Sequence, residues 1–264
     1  MGFLKKEIPD FVVENLSSNF ELREYQEDAF GRFFHCYNGD YENKEYPLHF
    51  LFNMATGSGK TLIMAGLILY LYEQGYRNFL FFVNSTNVIE KTKDNFLNNL
   101  SSKYLFNDKV FFDNKQVQIK QVDNFDGTSN QDINICFTTI QKLHGDLYNE
   151  KENSLTLEDF KNEKIVLIAD EAHHSQVQTR NGQREIFEKP NWENTVEKIF
   201  KQNTGNLLLE FTATLDLAQK EINEKYRNKI IYKYDLKEFR NEGYSKDVEL
   251  LHTDSDRRDR IIQA

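Results

Sequence analysis

The sequence predicts an α/β fold: a doubly wound, mostly parallel sheet flanked by helices. Three observations predict it. Several short runs are continuously apolar rather than alternating, as in strands buried on both faces. Helical segments separate those runs, which is the arrangement that makes strands parallel. A glycine-rich turn joins the first run to an apolar helix, the order found where doubly wound sheets bind ligands.

Each element follows from its local pattern. Residues 22–37 carry apolar positions at helical spacing, with one face to bury. HFLFNM over 49–54 reads as a buried strand, and an apolar helix runs from about 60 to 74, closed by Gly75. NFLFFVN (78–84) is a strand and 86–100 a helix. QVQIKQV (116–122), INICFTT (133–139) and KIVLIAD (164–170) are further strands. A helix centred on 192–201 leads to the strands NLLLEFT (206–212) and KIIYKYD (229–235). We expect one domain over residues 1–250, with 251–264 beginning a connection to something further.

Composition narrows the function classes. The chain has 264 residues, of which 39% are hydrophobic and 28% charged, so a packed core is expected rather than disorder. The net charge of −9 argues against holding nucleic acid by a broad basic surface, though not against a local groove of amides and hydroxyls. Cys36 and Cys136 form no C-x-x-C pair, which excludes a cysteine-rich zinc site and makes a reducing compartment the default. Lys6 stands where a myristoylation signal needs Ser or Thr. The longest apolar run, Leu62 to Tyr72, is too short to span a bilayer, which takes about 20 residues. The expectation is a soluble cytoplasmic protein with no membrane partner.

Residues 54–61, MATGSGKT, sit between a strand and a helix. Small residues let backbone N–H groups close around phosphate oxygens, and the helix N-terminus adds positive potential. Thr56, Gly57, Ser58 and Gly59 would form that cradle. Lys60 would reach the β- and γ-phosphates, and the Thr61 hydroxyl would ligate Mg²⁺. The expected ligand is ATP with Mg²⁺. The strict pattern begins with Gly, whereas Met54 stands there.

Asp170 and Glu171 end the most apolar strand of the chain. Two carboxylates there suit the two jobs of phosphoryl transfer: Asp170 holding Mg²⁺, and Glu171 orienting and deprotonating a water. His173 and His174 follow, but no other His or Cys falls at ligand spacing, so zinc is not expected.

With these pieces on the page, the sequence resembles superfamily 2 helicases and translocases of the DEAH type, most of all the motor subunit of type III restriction enzymes. LREYQ (22–26) is similar to that group's adenine-reading motif, so the resemblance implies that Gln26 bonds the adenine edge. ADEAHHS (169–175) is similar to the acidic motif, with His173 a further candidate for catalysis or coupling. FTATL (211–215) is similar to the coupling motif and points to Thr212, Ala213 and Thr214. VNSTN (83–87) and FTTIQKL (137–143) stand where the group contacts a DNA strand, which points to Ser85, Thr86, Thr138 and Thr139. YDLKEFRNEGYSKDVEL (234–250) resembles the passage toward a second motor domain.

The resemblance implies a RecA-like phosphate-loop NTPase fold of three layers, ATP hydrolysis coupled to movement on DNA, and a DNA methyltransferase (modification) subunit as partner. It also implies a second motor domain that supplies arginines to the ATP site. No Q-x-x-x-R-x-x-R segment occurs, and the spacing of Arg257, Arg258 and Arg260 does not match. A restriction endonuclease domain would lie beyond residue 264. Residues 1–264 alone are therefore expected to bind Mg·ATP and turn it over slowly. A type I restriction motor, a DNA repair helicase and a nucleotide-binding switch without turnover remain alternatives. The absence of N-K-x-D disfavours a GTPase.

Overall fold

The computed structural model describes residues 7–42, 44–149, 152–170, 192–215 and 217–244. Its centre is a seven-stranded sheet in the order β5-β6-β2-β7-β8-β1-β9. The strands are β1 (Leu48–Met54), β2 (Asn78–Val83), β5 (Ile119–Val122), β6 (Ile133–Thr139), β7 (Ile165–Asp170), β8 (Leu207–Thr212) and β9 (Ile230–Tyr234). Every neighbouring pair in this sheet is parallel. The chain therefore starts near one edge at β1, moves out to β5 and β6, then returns to insert β7 and β8 between β2 and β1.

That return puts helices on both faces. On the first face lie α1 (Asp10–Asn15), α2 (Glu24–Asn38), α3 (Lys60–Glu73) and α4 (Thr86–Leu97), packed with Phe79, Phe81, Val166, Ile168, Leu209 and Phe211. On the second lie α5 (Ile140–Tyr148), α6 (Leu157–Asn162) and α7 (Trp192–Phe200), packed with Leu80, Phe82, Leu167 and Leu208. Successive strand residues alternate between the two clusters, which is why the strands read as unbroken apolar runs. Helix α3 is buried from Leu62 to Tyr72, because α1 and α2 cover the side the sheet does not. An all-round apolar helix is what such a sandwiched position requires. Among the described residues no helix is long and apolar enough to cross a membrane.

The α/β expectation holds, and the predicted strands and long helices fall within a few residues of their expected bounds. One strand does not. Residues 116–122 divide between two sheets: β4 (Lys115–Val117) pairs antiparallel with β3 (Val110–Phe112), while β5 joins the main sheet. The break falls at Gln118, whose N–H donates to the Asp132 carboxylate at 3.1 Å. Asp113 and Asn114 turn the β3–β4 hairpin at φ 47° and 62°, a left-handed pair suited to a tight turn. The short helices α1, α5, α6, α8 (Lys220–Tyr226) and α9 (Leu236–Asn241) were not expected. All but α5 have too few turns for a periodic pattern.

Candidate nucleotide-binding and coupling site

The described residues among those picked out in the sequence gather at the carboxyl edge of the sheet. The helices leaving β1 and β8 go to opposite faces, and this divergence opens a crevice where doubly wound sheets take ligands. In order across that edge come Thr138 and Thr139 after β6, residues 84–87 after β2, Asp170 on β7, Thr212 to Thr214 after β8, and the phosphate loop after β1. Thr212 pairs in register with Asn53 and Phe211 with Asp170, so β8 lies between the phosphate loop and the acidic strand end.

The loop turns tightly. Ser58 N–H donates to Ala55 C=O at 3.2 Å and Ser58 Oγ to the same carbonyl at 2.7 Å. Gly57 and Gly59 stand at φ 84° and 81°, left-handed positions that side chains rarely adopt. Gly59 caps α3, which begins at Lys60. Thr56 and Gly57 are exposed, Ser58 buried, and Gly59, Lys60 and Thr61 half-buried. Lys60 Nζ donates to Met54 C=O and Ala55 C=O, both at 3.4 Å, so the ammonium is held over the loop it would serve. Met54 ends β1 as a fully buried core residue. It has no left-handed backbone, so glycine is not needed there.

Helix α2 clamps the loop from the first face. Tyr25 Oη donates to Ser58 C=O at 3.0 Å, and Gln26 Nε2 donates to the same carbonyl at 3.0 Å. Gln26 Oε1 accepts from Arg23 N–H at 3.0 Å, which closes the first turn of α2. Gln26 is buried, and in this conformation both ends of its amide face protein groups. Gly66 lets α2 approach α3: a Cβ there would lie 2.5 Å from the Phe30 ring.

Across β8, Thr212 is buried, and its hydroxyl donates to Thr214 C=O at 3.0 Å and accepts from Thr214 N–H at 3.3 Å. Ala213 sits inside this small turn. Asp170 is half-buried at the last position of β7. Glu171, His173 and His174 lie outside the described residues. The oxygen donors Thr61 and Asp170 suit Mg²⁺, which takes one or two protein oxygens together with phosphate and water. Among the described residues no cluster of three or more His, Cys, Asp or Glu forms a self-contained metal cage.

The proposed strand-contacting residues divide. Ser85 and Thr86 are exposed at the start of α4. Thr138 is buried, and its hydroxyl donates to Thr139 C=O at 3.2 Å. Thr139 Oγ1 accepts from Lys142 N–H at 3.1 Å as the cap of α5.

Sequence reasoning missed a buried pair on the second face of β1 and β8. His49 Nε2 and Glu210 Oε2 are 2.6 Å apart, and Tyr226 Oη of α8 lies 3.4 Å from Glu210 Oε1. Burial pushes the Glu210 carboxyl up, but the His49 hydrogen bond and charge, with Lys225 and Lys229, hold it below the usual carboxylate range. The one available signal was a lone carboxylate inside NLLLEFT.

Comparison with known proteins follows the same lines. Residues 19–217 match the family model described as type III restriction enzyme, res subunit. A curated relative is the probable type III restriction-modification enzyme HindVIP Res subunit of Haemophilus influenzae, 38% identical over 282 aligned positions. The alignment covers 97% of this chain and 54% of that relative, so the chain spans about half the relative's length. Among solved structures, the ATP-dependent type ISP restriction-modification enzyme LlaBIII bound to DNA is 14% identical, with a TM-score of 0.52 over 84% of this chain and 16% of that one. That likeness supports the RecA-like fold.

Proposed function

Because the chain belongs to the type III restriction enzyme Res-subunit family, we propose that it is an ATP-binding motor domain that hydrolyses ATP to drive movement along DNA. The observation that carries this reading is the phosphate loop itself. Two left-handed glycines close it between β1 and α3, with Lys60 folded over its carbonyls and Asp170 two strands away.

In this reading the loop N–H groups and Lys60 hold the triphosphate. Thr61 and Asp170 hold Mg²⁺, which would neutralise charge on the phosphate oxygens. Glu171 orients and deprotonates the attacking water, and His173 serves catalysis or coupling. Gln26 reads the adenine edge once its amide leaves the loop carbonyl. The Thr212–Thr214 turn stands between the two halves of the site and couples them to the DNA-facing loops. Translocation with a second motor domain, partnership with a modification methyltransferase and a cytoplasmic location belong to the same proposal.

Lys60→Ala tests it. The substitution removes charge-assisted contacts to phosphate, so Mg·ATP affinity should fall about 100-fold with the fold intact. Calorimetric titration showing wild-type affinity in a folded variant would refute ATP binding at this loop.

A further inference from the structure

Strand β1 carries a buried polar side chain that the nucleotide motifs leave unexplained. Asn53, the residue before Met54, is 5% exposed. Asn15, Asn78, Asn134 and Asn206 are buried as deeply, and each of them uses its amide. Asn15 bonds both backbone groups of Phe111, Asn78 Oδ1 accepts from Thr128 and from Asn134, and Asn206 Nδ2 donates to carbonyls of α6 and α7. The Asn53 amide makes no hydrogen bond to any described residue. A buried amide without a partner keeps the full cost of losing its water. Such groups are rare in native proteins and mark stored strain or a working role.

The neighbours of Asn53 point to its partner. Phe52 and Met54 belong to the first-face core, so Asn53 points to the second face. On β8, Phe211 likewise takes the first face and leaves Thr212 on the second, directly opposite Asn53 in the parallel register. Neighbouring strands lie about 4.8 Å apart, a gap that an amide and a hydroxyl bridge by rotating. Two other polar neighbours are committed elsewhere. Glu210 is held by His49 and Tyr226, and Lys233, opposite Asn53 on β9, pairs with Asp235 at 3.6 Å. Thr212 bonds the backbone of Thr214, an exposed residue at which water can take its place. We propose that Asn53 is a positioning residue for the coupling turn. When the terminal phosphate of a nucleoside triphosphate settles between the loop and Asp170, the Thr212 hydroxyl leaves Thr214 C=O and donates to Asn53 Oδ1, which opens the turn. This rests on the reading of residues 55–61 as the triphosphate site. Strand β8 separates the loop from Asp170, so the end of the phosphate chain is the part that reaches the turn. Two bonds that water can replace are exchanged for one that it cannot, so neither arrangement wins by much and a ligand decides between them.

Melting and calorimetry of the chain test the exchange. Asn53→Leu keeps the branched shape without the amide, and Asn53→Ala covers the case of a leucine that does not fit. Without nucleotide, Asn53→Ala should melt within about 3 °C of wild type, whereas Asn206→Ala, which strips a bonded amide of the same kind, should melt about 6 °C or more below it. Both Asn53 variants should bind Mg·ATP about fivefold more weakly and Mg·ADP within about twofold of wild type. Thr212→Val, which removes the hydroxyl, should match them, and the double variant of Asn53→Ala and Thr212→Val should be no weaker than either alone. If Asn53→Ala melts as far below wild type as Asn206→Ala, the amide has a partner in the resting protein and the proposal falls. Equal weakening of ATP and ADP overturns it as well, as do losses that add in the double variant. Wild-type ATP affinity in the Asn53 variants overturns the exchange while keeping the phosphate loop. A wild-type chain that binds neither nucleotide refutes the triphosphate site, and the exchange with it.

Discussion

The two sides of the sheet's carboxyl edge are built differently. On the β1 side, the phosphate loop is held by Tyr25, Gln26 and two left-handed glycines, and α2 packs against α3 through Gly66. On the β2 and β6 side, the loops after the strands carry polar residues that are either exposed or occupied in local caps. A loop that grips phosphate needs its amides already aimed, so its geometry is over-determined by neighbours. A loop that touches a passing strand through single hydroxyls needs only exposure. Substitutions on the first side should therefore disturb fold and ligand together, and those on the second should separate them.

The largest effect belongs to the strand between the two sides. His49 and Glu210 join β1 to β8 on the second face, each side chain 11% exposed. His49→Ala removes the shorter of the two side-chain hydrogen bonds of a buried carboxylate and leaves it Tyr226, at a cost of about 3 kcal/mol. Thermal unfolding should show a drop of about 10 °C. The pH dependence has a fixed sign. The folded Glu210 carboxyl is held below its usual value, so its contribution is complete above an unfolded value of about 4.3 and is lost as pH falls through the lowered folded value. The gap between wild type and His49→Ala should therefore shrink on acidification below about pH 4. A gap that widens there would show that the pair is not what binds β8 to β1.

Next come the two loop glycines, which share a backbone conformation but not an environment. Alanine in the left-handed region costs about 1–2 kcal/mol at either position. A Cβ on Gly57 meets nothing within 4 Å, whereas one on Gly59 lies 2.4 Å from Gln26 Nε2. Gly59→Ala must push Gln26 off the Ser58 carbonyl. It should lose more stability and more Mg·ATP affinity than Gly57→Ala, in melting and calorimetry run side by side. Equal losses would show that the Gln26 clamp does not shape the loop.

What the sequence made legible follows the same division. The strands were readable because burial on both faces removes polar residues from them, as in NFLFFV and IVLIAD. Lys60, Thr61 and Asp170 could be proposed from the sequence because phosphate chemistry asks for particular residue types at particular spacings. The bond from Tyr25 to the phosphate loop could not be, since Tyr25 read only as one apolar position on the 22–37 helix face, and the bond joins elements far apart in the chain. The division of 116–122 between two sheets was hidden for a related reason: the break depends on Asp132, which no local pattern connects to Gln118.

The smallest effect is expected among the residues proposed to touch DNA, and it sharpens the comparison most. Ser85 and Thr86 are exposed and uncharged. Replacing both with Ala should weaken DNA binding only about twofold. The slope of affinity against salt should stay the same, because a neutral contact releases no counterion. Thr139→Ala should behave differently. It removes the cap of α5, at a cost of about 1 kcal/mol in stability, and should leave DNA affinity near wild type. Anisotropy titrations with labelled DNA at several salt concentrations, beside thermal melts, separate the cases. If Thr139→Ala instead loses DNA affinity at an unchanged melting temperature, its hydroxyl serves the strand rather than the helix. The β6 loop would then have to be regrouped with the ligand-gripping side of the edge.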